Sequence, residues 1–222
     1  MASHSQGLSI RHTRLEDIQP LIALQKQTYP GISPWSESKF AHQIEVFPQG
    51  QVTAEIDGEI VGCASGLILS WDDWPVEHNW KEITASGSFD THNPEGRTFY
   101  GAEVFVDANL RGYGLGHALY EARRELCRRM NLKRIMASGR LPGYHKHAAE
   151  MSADMYAMKV VWGDLNDPVL GFQLREGFRY CTVITDYLPE DTESCGFASL
   201  IVWPNPDFDP SKPTQIPEGD VL

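Results

Sequence analysis

Apolar and polar positions alternate from Leu8 to His12, as in a half-buried strand. Past Thr13 the spacing becomes that of a helix face carrying Leu15, Ile18, Leu21, Ile22 and Leu24. That helix is expected to stop near Pro30-Gly31, and Ser33 or Ser36 to cap a second one through Phe40, Ile44 and Phe47. Two strands follow, Gln51 to Ile56 and Glu59 to Leu69, joined by Asp57-Gly58, a pair suited to a tight hairpin turn. From Trp71 to Arg97 neither period holds, and a long irregular stretch inside a domain reads as a lid or binding loop. Thr98 to Val106 is again a strand. Gly112 to Met130 places Leu115, Ala118, Leu119, Ala122, Leu126 and Met130 on one helical face, and Arg134 to Ala137 is a short buried strand. Helices over Met151 to Leu165 and Pro168 to Glu176 precede two antiparallel strands, Phe178 to Leu188 and Phe197 to Trp203.

This order predicts an α/β chain: a mixed sheet with helices on both faces, forming one domain over residues 1–203. Residues 204–222 hold five of the 14 prolines together with Asp207, Asp209, Glu218 and Asp220, a composition that predicts an extended tail where order fades. A chain of 222 residues, 41% of them apolar, closes its core without staples. Cys63, Cys127, Cys181 and Cys195 show no C-x-x-C pair and no His at zinc spacing, so neither a disulfide framework nor a metal site is expected. They read as buried thiols of a reducing compartment. The polar start from Met1 to Gly7 lacks the apolar stretch of a signal peptide, and no apolar run approaches the ~20 residues of a membrane helix. The expected setting is the cytoplasm, with no membrane partner.

The formal net charge of -11 argues against a nucleic-acid partner. The most informative segment runs from Val104 to Gly116: a buried strand, a short loop, then glycine-punctuated entry into an amphipathic helix. Glycines let backbone amides approach an anion, and the first helical turn leaves N–H groups unpaired with the dipole positive toward the ligand. Arg111 adds a full charge. Neither G-x-x-x-x-G-K-[ST] nor G-x-G-x-x-G fits, because His117 stands where the latter needs glycine. What remains is R-x-x-G-x-G at Arg111, Gly114 and Gly116.

That pattern resembles the coenzyme A motif of the GNAT superfamily of N-acetyltransferases, Q/R-x-x-G-x-G/A after the fourth strand. A second landmark, a short helix closed by Gly-Phe, is matched by DPVLGFQLREGF ending at Gly177-Phe178. Together the likeness spans Leu8 to Trp203. The stretches YPGISPW, VFPQGQ, YGAEVFVD and GRLPGYH resemble more closely GNAT domains fused ahead of nitrilase-type carbon-nitrogen hydrolases, which makes the chain a free-standing relative or an excised domain and a hydrolase its expected partner.

The resemblance implies a GNAT fold with six to seven strands, acetyl-CoA as acyl donor, and direct attack by an amine in a ternary complex. It implies that Arg111, Gly112, Tyr113, Gly114, Leu115, Gly116 and His117 hold the pyrophosphate. The pantetheine arm would lie along Val104, Phe105 and Val106, with the N–H of Val104 or Phe105 aimed at the thioester oxygen. Asn166 sits where the family uses an Asn on pantetheine, although Asn166 or Asp167 can equally cap the helix that Pro168 opens. Glu103 is the candidate base, its alternative being a strand carboxylate in solvent or a salt bridge. Counting four back from Gly177 gives Gln173 instead of the family's proton-donating Tyr. Tyr144 is the substitute candidate, against a loop-packing role, and the thiolate can also leave unprotonated.

Residues 111–134 carry seven basic against two acidic side chains, +5, leaving -16 elsewhere. This suits a polyanionic donor on one face and a cationic acceptor on another, with a solvated helix face as the plainer reading of the later arginines. Asp72, Asp73 and Glu77 among Trp71, Trp74 and Trp80 would suit an organic cation, or else form a lid packed by its tryptophans. The acceptor is thus expected to be a small amine. Two other readings compete: an acyl-CoA sensor without transfer, and an acetyltransferase acting on a protein N-terminus or lysine. Edge strands near the C-terminus leave a homodimer open.

Overall fold

The protein, a computed structural model, is described over residues 7–29, 33–110 and 112–217. Pro30-Gly31, Arg111, Glu218 and Asp220 lie outside the described residues.

A hairpin built on Asp57-Gly58, both at positive φ, joins β2 (Gln51–Ile56) to β3 (Glu59–Leu69). β1 (Leu8–His12) adds antiparallel to β2, and β4 (Thr98–Val106) antiparallel to β3. β5 (Arg134–Arg140) lies parallel to β4, then β7 (Ala198–Pro204) and β6 (Arg179–Ile184) complete a seven-stranded sheet of order β1-β2-β3-β4-β5-β7-β6. On one face lie α1 (Ile18–Thr28) and α2 (Glu37–Val46), packing Ile18, Leu21 and Phe40 on Phe105. The cap of α2 is Ser36, whose Oγ accepts the Lys39 N–H at 3.3 Å. On the other lie α4 (Leu115–Arg129), α5 (Ala153–Trp162) and α6 (Leu170–Arg175), sharing a cluster with Phe99, Ile135 and Ala137.

Two irregularities open the sheet at its centre. The parallel ladder joins only Thr98–Gly101 to Arg134–Ala137, whereas β4 runs on to Val106 and β5 to Arg140, so the two strands part into a wedge. At the point of parting, Ser65 pairs with Glu103 and Gly66 with Gly101, which leaves Ala102 as the extra residue of a bulge. Arg123 of α4 fills the underside, its buried guanidinium donating to the carbonyls of Ser65 (2.8 Å) and Glu103.

The Trp71–Arg97 stretch is a fastened cover. It contains α3 (Trp80–Ile83), started by a reciprocal cap between Asn79 and Glu82, and it buries Ile83 and Phe89 completely against Leu67, Leu69 and Tyr100. Its end is tied to β3, where Ile68 donates its N–H to His92 Nδ1 and accepts that of Asn93. Among the described residues beyond β7 there is no helix or strand, yet the segment is pinned. Asn131 Nδ2 donates to the carbonyls of Asp209, Lys212 and Pro213, Asn205 Nδ2 to that of Leu132, and Thr214 Oγ1 to that of Gly96.

Candidate active site

The wedge exposes the edge of β4. The Asp107 N–H donates to Val61 on β3, so backbone alternation turns the N–H groups of Val104 and Val106 into the wedge and that of Phe105 toward β3. Of the two donors expected for an oxyanion, only Val104 therefore faces the gap. Phe105 contributes a buried ring beneath α1 and α2.

Glu103 stands beside that donor. Its Oε1 accepts the Val104 N–H at 3.0 Å and the Tyr29 hydroxyl at 3.1 Å, and the same hydroxyl lies 3.2 Å from the Val104 carbonyl. Burial lifts the carboxyl to about 7, against the Val104 and Tyr29 hydrogen bonds and the charges of Arg123 and Arg140. Among the described residues Glu103 is thus neither a solvated strand carboxylate nor half of a close salt bridge. It is half-buried and poised to exchange a proton near neutrality. Tyr29, at the end of α1, opens the YPGISPW stretch, which carried the family resemblance but gave no sign of this contact.

At the wide end of the wedge, Gly112 and Gly114 take φ of +89° and +78°, values that side chains resist. Gly114 is the N-cap of α4 and brings no side chain to cap it, so among the described residues no side chain is shown on the first-turn amides of Leu115, Gly116 and His117. Gly116 answers a different need, since a Cβ there would approach the Phe172 ring of α6 to 2.9 Å. Tyr113 is exposed beside them. The His117 ring pairs with Glu176 at 3.0 Å, and Arg124 holds the same carboxylate at 3.1 Å.

The chain's positive segment is less available than its sum suggests. Arg124 pairs with Glu121 and Glu176, Arg128 with Glu121, Glu125 and Asp207, and Arg129 with Glu125, while Arg123 is buried. Arg124 is buried as well, and Arg128 and Arg129, paired with neighbouring carboxylates, draw little to the helix face.

A family model described as the Acetyltransferase (GNAT) family matches residues 18–151. The chain belongs to the GNAT family. It is 43% identical over 203 residues to a protein named probable hydrolase YhcX of Bacillus subtilis (strain 168), covering 91% of this chain and 40% of that one, so it spans less than half the relative's length. It is 37% identical over 204 residues to YkwB of the same organism, named an uncharacterized N-acetyltransferase, with 90% of each chain covered. Among solved structures, GphF, a GNAT-like decarboxylase in complex with isobutyryl-CoA, aligns with a TM-score of 0.73 at 23% identity, over 88% of this chain and 98% of that one. That likeness is one of fold.

Two expected site residues of this GNAT chain lie apart from Glu103. Tyr144 is a core tyrosine: its hydroxyl donates to the Met151 carbonyl at 3.1 Å and its ring meets Tyr156 and Phe197. The loop-packing alternative describes it, and its hydroxyl is spent inside the core. Asn166 is exposed and lines a shallow depression of about 520 Å³ between α5 and α6 with Gly171, Leu174 and Arg175. The capping belongs to its neighbour, since Asp167 Oδ1 accepts the N–H groups of Val169 and Leu170, both at 2.9 Å.

Gln173 is buried on Gly139 of β5, where a Cβ would collide with its amide, and its Nε2 donates to the Tyr120 hydroxyl at 3.2 Å. The acidic-aromatic cage drawn from Trp71–Trp80 does not assemble. Trp71 stacks on Tyr100, and Trp80 stacks on Trp35 while donating Nε1 to the Ala102 carbonyl. Asp72, Asp73 and Glu77 face outward.

Proposed function

We propose that the protein is an N-acyltransferase that takes an acetyl group from acetyl-CoA and gives it to a small primary amine by direct attack. The carrying observation is the wedge itself: an open strand edge with a half-buried carboxylate on it, ending at an uncapped helix start. The residues fit the donor. The diphosphate would meet the amides of Leu115, Gly116 and His117 across Gly112 and Gly114, and the amide-bearing arm would add to β4 at Val104 and Val106 as an extra strand does. Bound coenzyme A supplies the activated thioester. Glu103 would take a proton from the incoming ammonium, and the Val104 N–H, which also donates to Glu103 Oε1, would turn to the charge that builds on the thioester oxygen.

A small acceptor is favoured because the 71–97 cover packs on the face of the sheet where Glu103 lies. Association with a carbon-nitrogen hydrolase is supported by the likeness to YhcX, of which this chain covers 40%. The competing reading, a donor-binding module without transfer, is favoured by Gln173 alone, an amide where a proton donor is usual.

Acetyl-CoA at about a hundred times its dissociation constant should raise the melting temperature by about 5–10 °C, and Gly114→Asp should remove that shift by placing a like charge at the cradle. An unmoved wild-type melting curve would refute the proposal. Thiol release across amines, amino acids, polyamines and peptides then separates the two readings: silence with every acceptor despite donor binding supports the module.

A further inference from the structure

Polar side chains from three other segments meet at the Tyr100 hydroxyl of β4. It lies 2.9 Å from Ser138 Oγ, 2.9 Å from the Tyr187 hydroxyl and 3.1 Å from His78 Nε2. Tyr100, Tyr187 and His78 are 0%, 2% and 4% exposed, and the packing around them is apolar, from Leu67, Leu69, Ile83 and Met136. A polar knot in such surroundings carries a desolvation cost that an apolar filling avoids.

Its place is the narrow end of the wedge. Gly101 and Ala137 form the last β4–β5 pair, and half-exposed Ser138 is the first residue beyond. Ala137 packs in the α4 cluster, so alternation turns Ser138 to the opposite face, the one on which Glu103 meets Tyr29 of α1. A thioester whose diphosphate sits at the start of α4, beyond the other end of β4, points its acyl group toward this end.

An ammonium sheds two protons on becoming an amide nitrogen, one before attack and one after, and Glu103 holds one at a time. The departing sulfur needs one back. Resting on the N-acyltransferase reading, we propose that Ser138, Tyr100 and His78 form a relay that takes the second proton from the acceptor nitrogen and returns it to the departing sulfur, the task for which α6 offers only Gln173.

At rest the Tyr100 hydroxyl donates to Ser138 Oγ, and turning that one hydrogen to His78 Nε2 frees Tyr100 Oη to accept from Ser138 and opens both legs. His78 Nδ1 lies 3.1 Å from the Pro75 carbonyl, which can only accept, so Nδ1 carries the hydrogen and the neutral ring presents Nε2 as an acceptor. Burial favours that neutral ring, with the Pro75 and Val76 carbonyls and the charges of Glu77 and Glu82 pulling the other way. Once the C–N bond has formed, the nitrogen's proton passes to Ser138 Oγ, that of Ser138 to Tyr100 Oη, and that of Tyr100 to His78 Nε2. When the C–S bond breaks, its electron pair stays on sulfur, the three transfers run backwards and the thiol forms. The ring ends neutral, as it began, and Glu103 gives the first proton to water.

The thiol of bound coenzyme A, titrated by its thiolate absorption, reports the sulfur end without any acceptor. Ser138→Ala and Tyr100→Phe should each raise that titration by roughly one pH unit, and Ser138→Thr should leave it at the wild-type position. Glu103, Tyr29 and Arg140 also face this side and stay unchanged in every variant. In thiol release with a working amine, Ser138→Ala and Tyr100→Phe should each cut kcat about 10²-fold at constant KM for acetyl-CoA, and the double variant should lose no more than either. A thiol titration that Ser138→Ala does not move overturns the relay, as do losses that multiply in the double variant. The Ser138 pair decides the matter even where Tyr100→Phe fails to fold. Failure of the wild-type protein to bind coenzyme A would sink the acyltransferase reading itself.

Discussion

Glu103 concentrates the chemistry because three influences meet on one carboxyl. Burial raises its proton affinity to about 7, and the Tyr29 hydroxyl and Val104 N–H hold it in place. A base must be ionised to accept a proton. Activity should therefore rise with pH through about 7 and fall about tenfold per unit below it, a limb that Glu103→Gln should abolish along with most of the rate. A pH profile of kcat/KM on the wild type, flat between pH 5.5 and 8, would contradict the assignment. Glu103 was legible in the sequence as an acidic residue on the strand ahead of the glycine loop. Tyr29 was not, because 74 positions separate it from the carboxylate it orients.

Among the elements, β4 and α4 do most to shape the site, and one side chain binds them. Arg123 donates to the carbonyls of Ser65 and Glu103, on the two strands that flank the bulge, and its guanidinium lies 5.6 Å from the Tyr120 ring centre. Replacing it with Met would take a charged side-chain donor from two carbonyls, at a cost of about 1–3 kcal/mol for each. Arg123→Met should accordingly lower stability to denaturant by roughly 2–4 kcal/mol. A loss below 0.5 kcal/mol on the order of measurement error would show that the bulge holds without it. The boundaries of β1 to β4 fall where the pattern predicts, whereas β5 runs past the expected Ala137 to Arg140 and β6 stops at Ile184 short of the expected Leu188. The bulge at Ala102 was not legible, since one extra residue leaves both flanking runs equally apolar.

Across the whole molecule, the segment after β7 acts as a strap beneath the sheet's end. Asn131, at a φ of +53° just past α4, ties three of its carbonyls, and the Gln215 N–H donates to the Met130 carbonyl. Asn131→Ala loses these bonds and strains a left-handed position, so it should cost about 2 kcal/mol, or roughly 4–8 °C in melting temperature. A chain ending at Pro204 that melts with the full one would remove the strap's role. The expected tail begins at Pro204, which β7 still includes, and its proline-rich composition points only to extended chain. It carried no sign of the docking, because the partners are backbone carbonyls gathered by an asparagine far upstream.

The sequence by itself determined the period of each element, the hairpin at Asp57-Gly58, the glycine loop and the family, since all of these are written in residues near one another along the chain. Tertiary structure alone decided that β4 and β5 part after Gly101 and Ala137, that Tyr29 reaches Glu103, that Tyr144 turns into the core, and that His78, Tyr100, Ser138 and Tyr187 converge. Periodicity records which face of an element is buried but not which neighbour buries it. Contacts between distant segments follow from how whole elements pack, and local spacing leaves no trace of them.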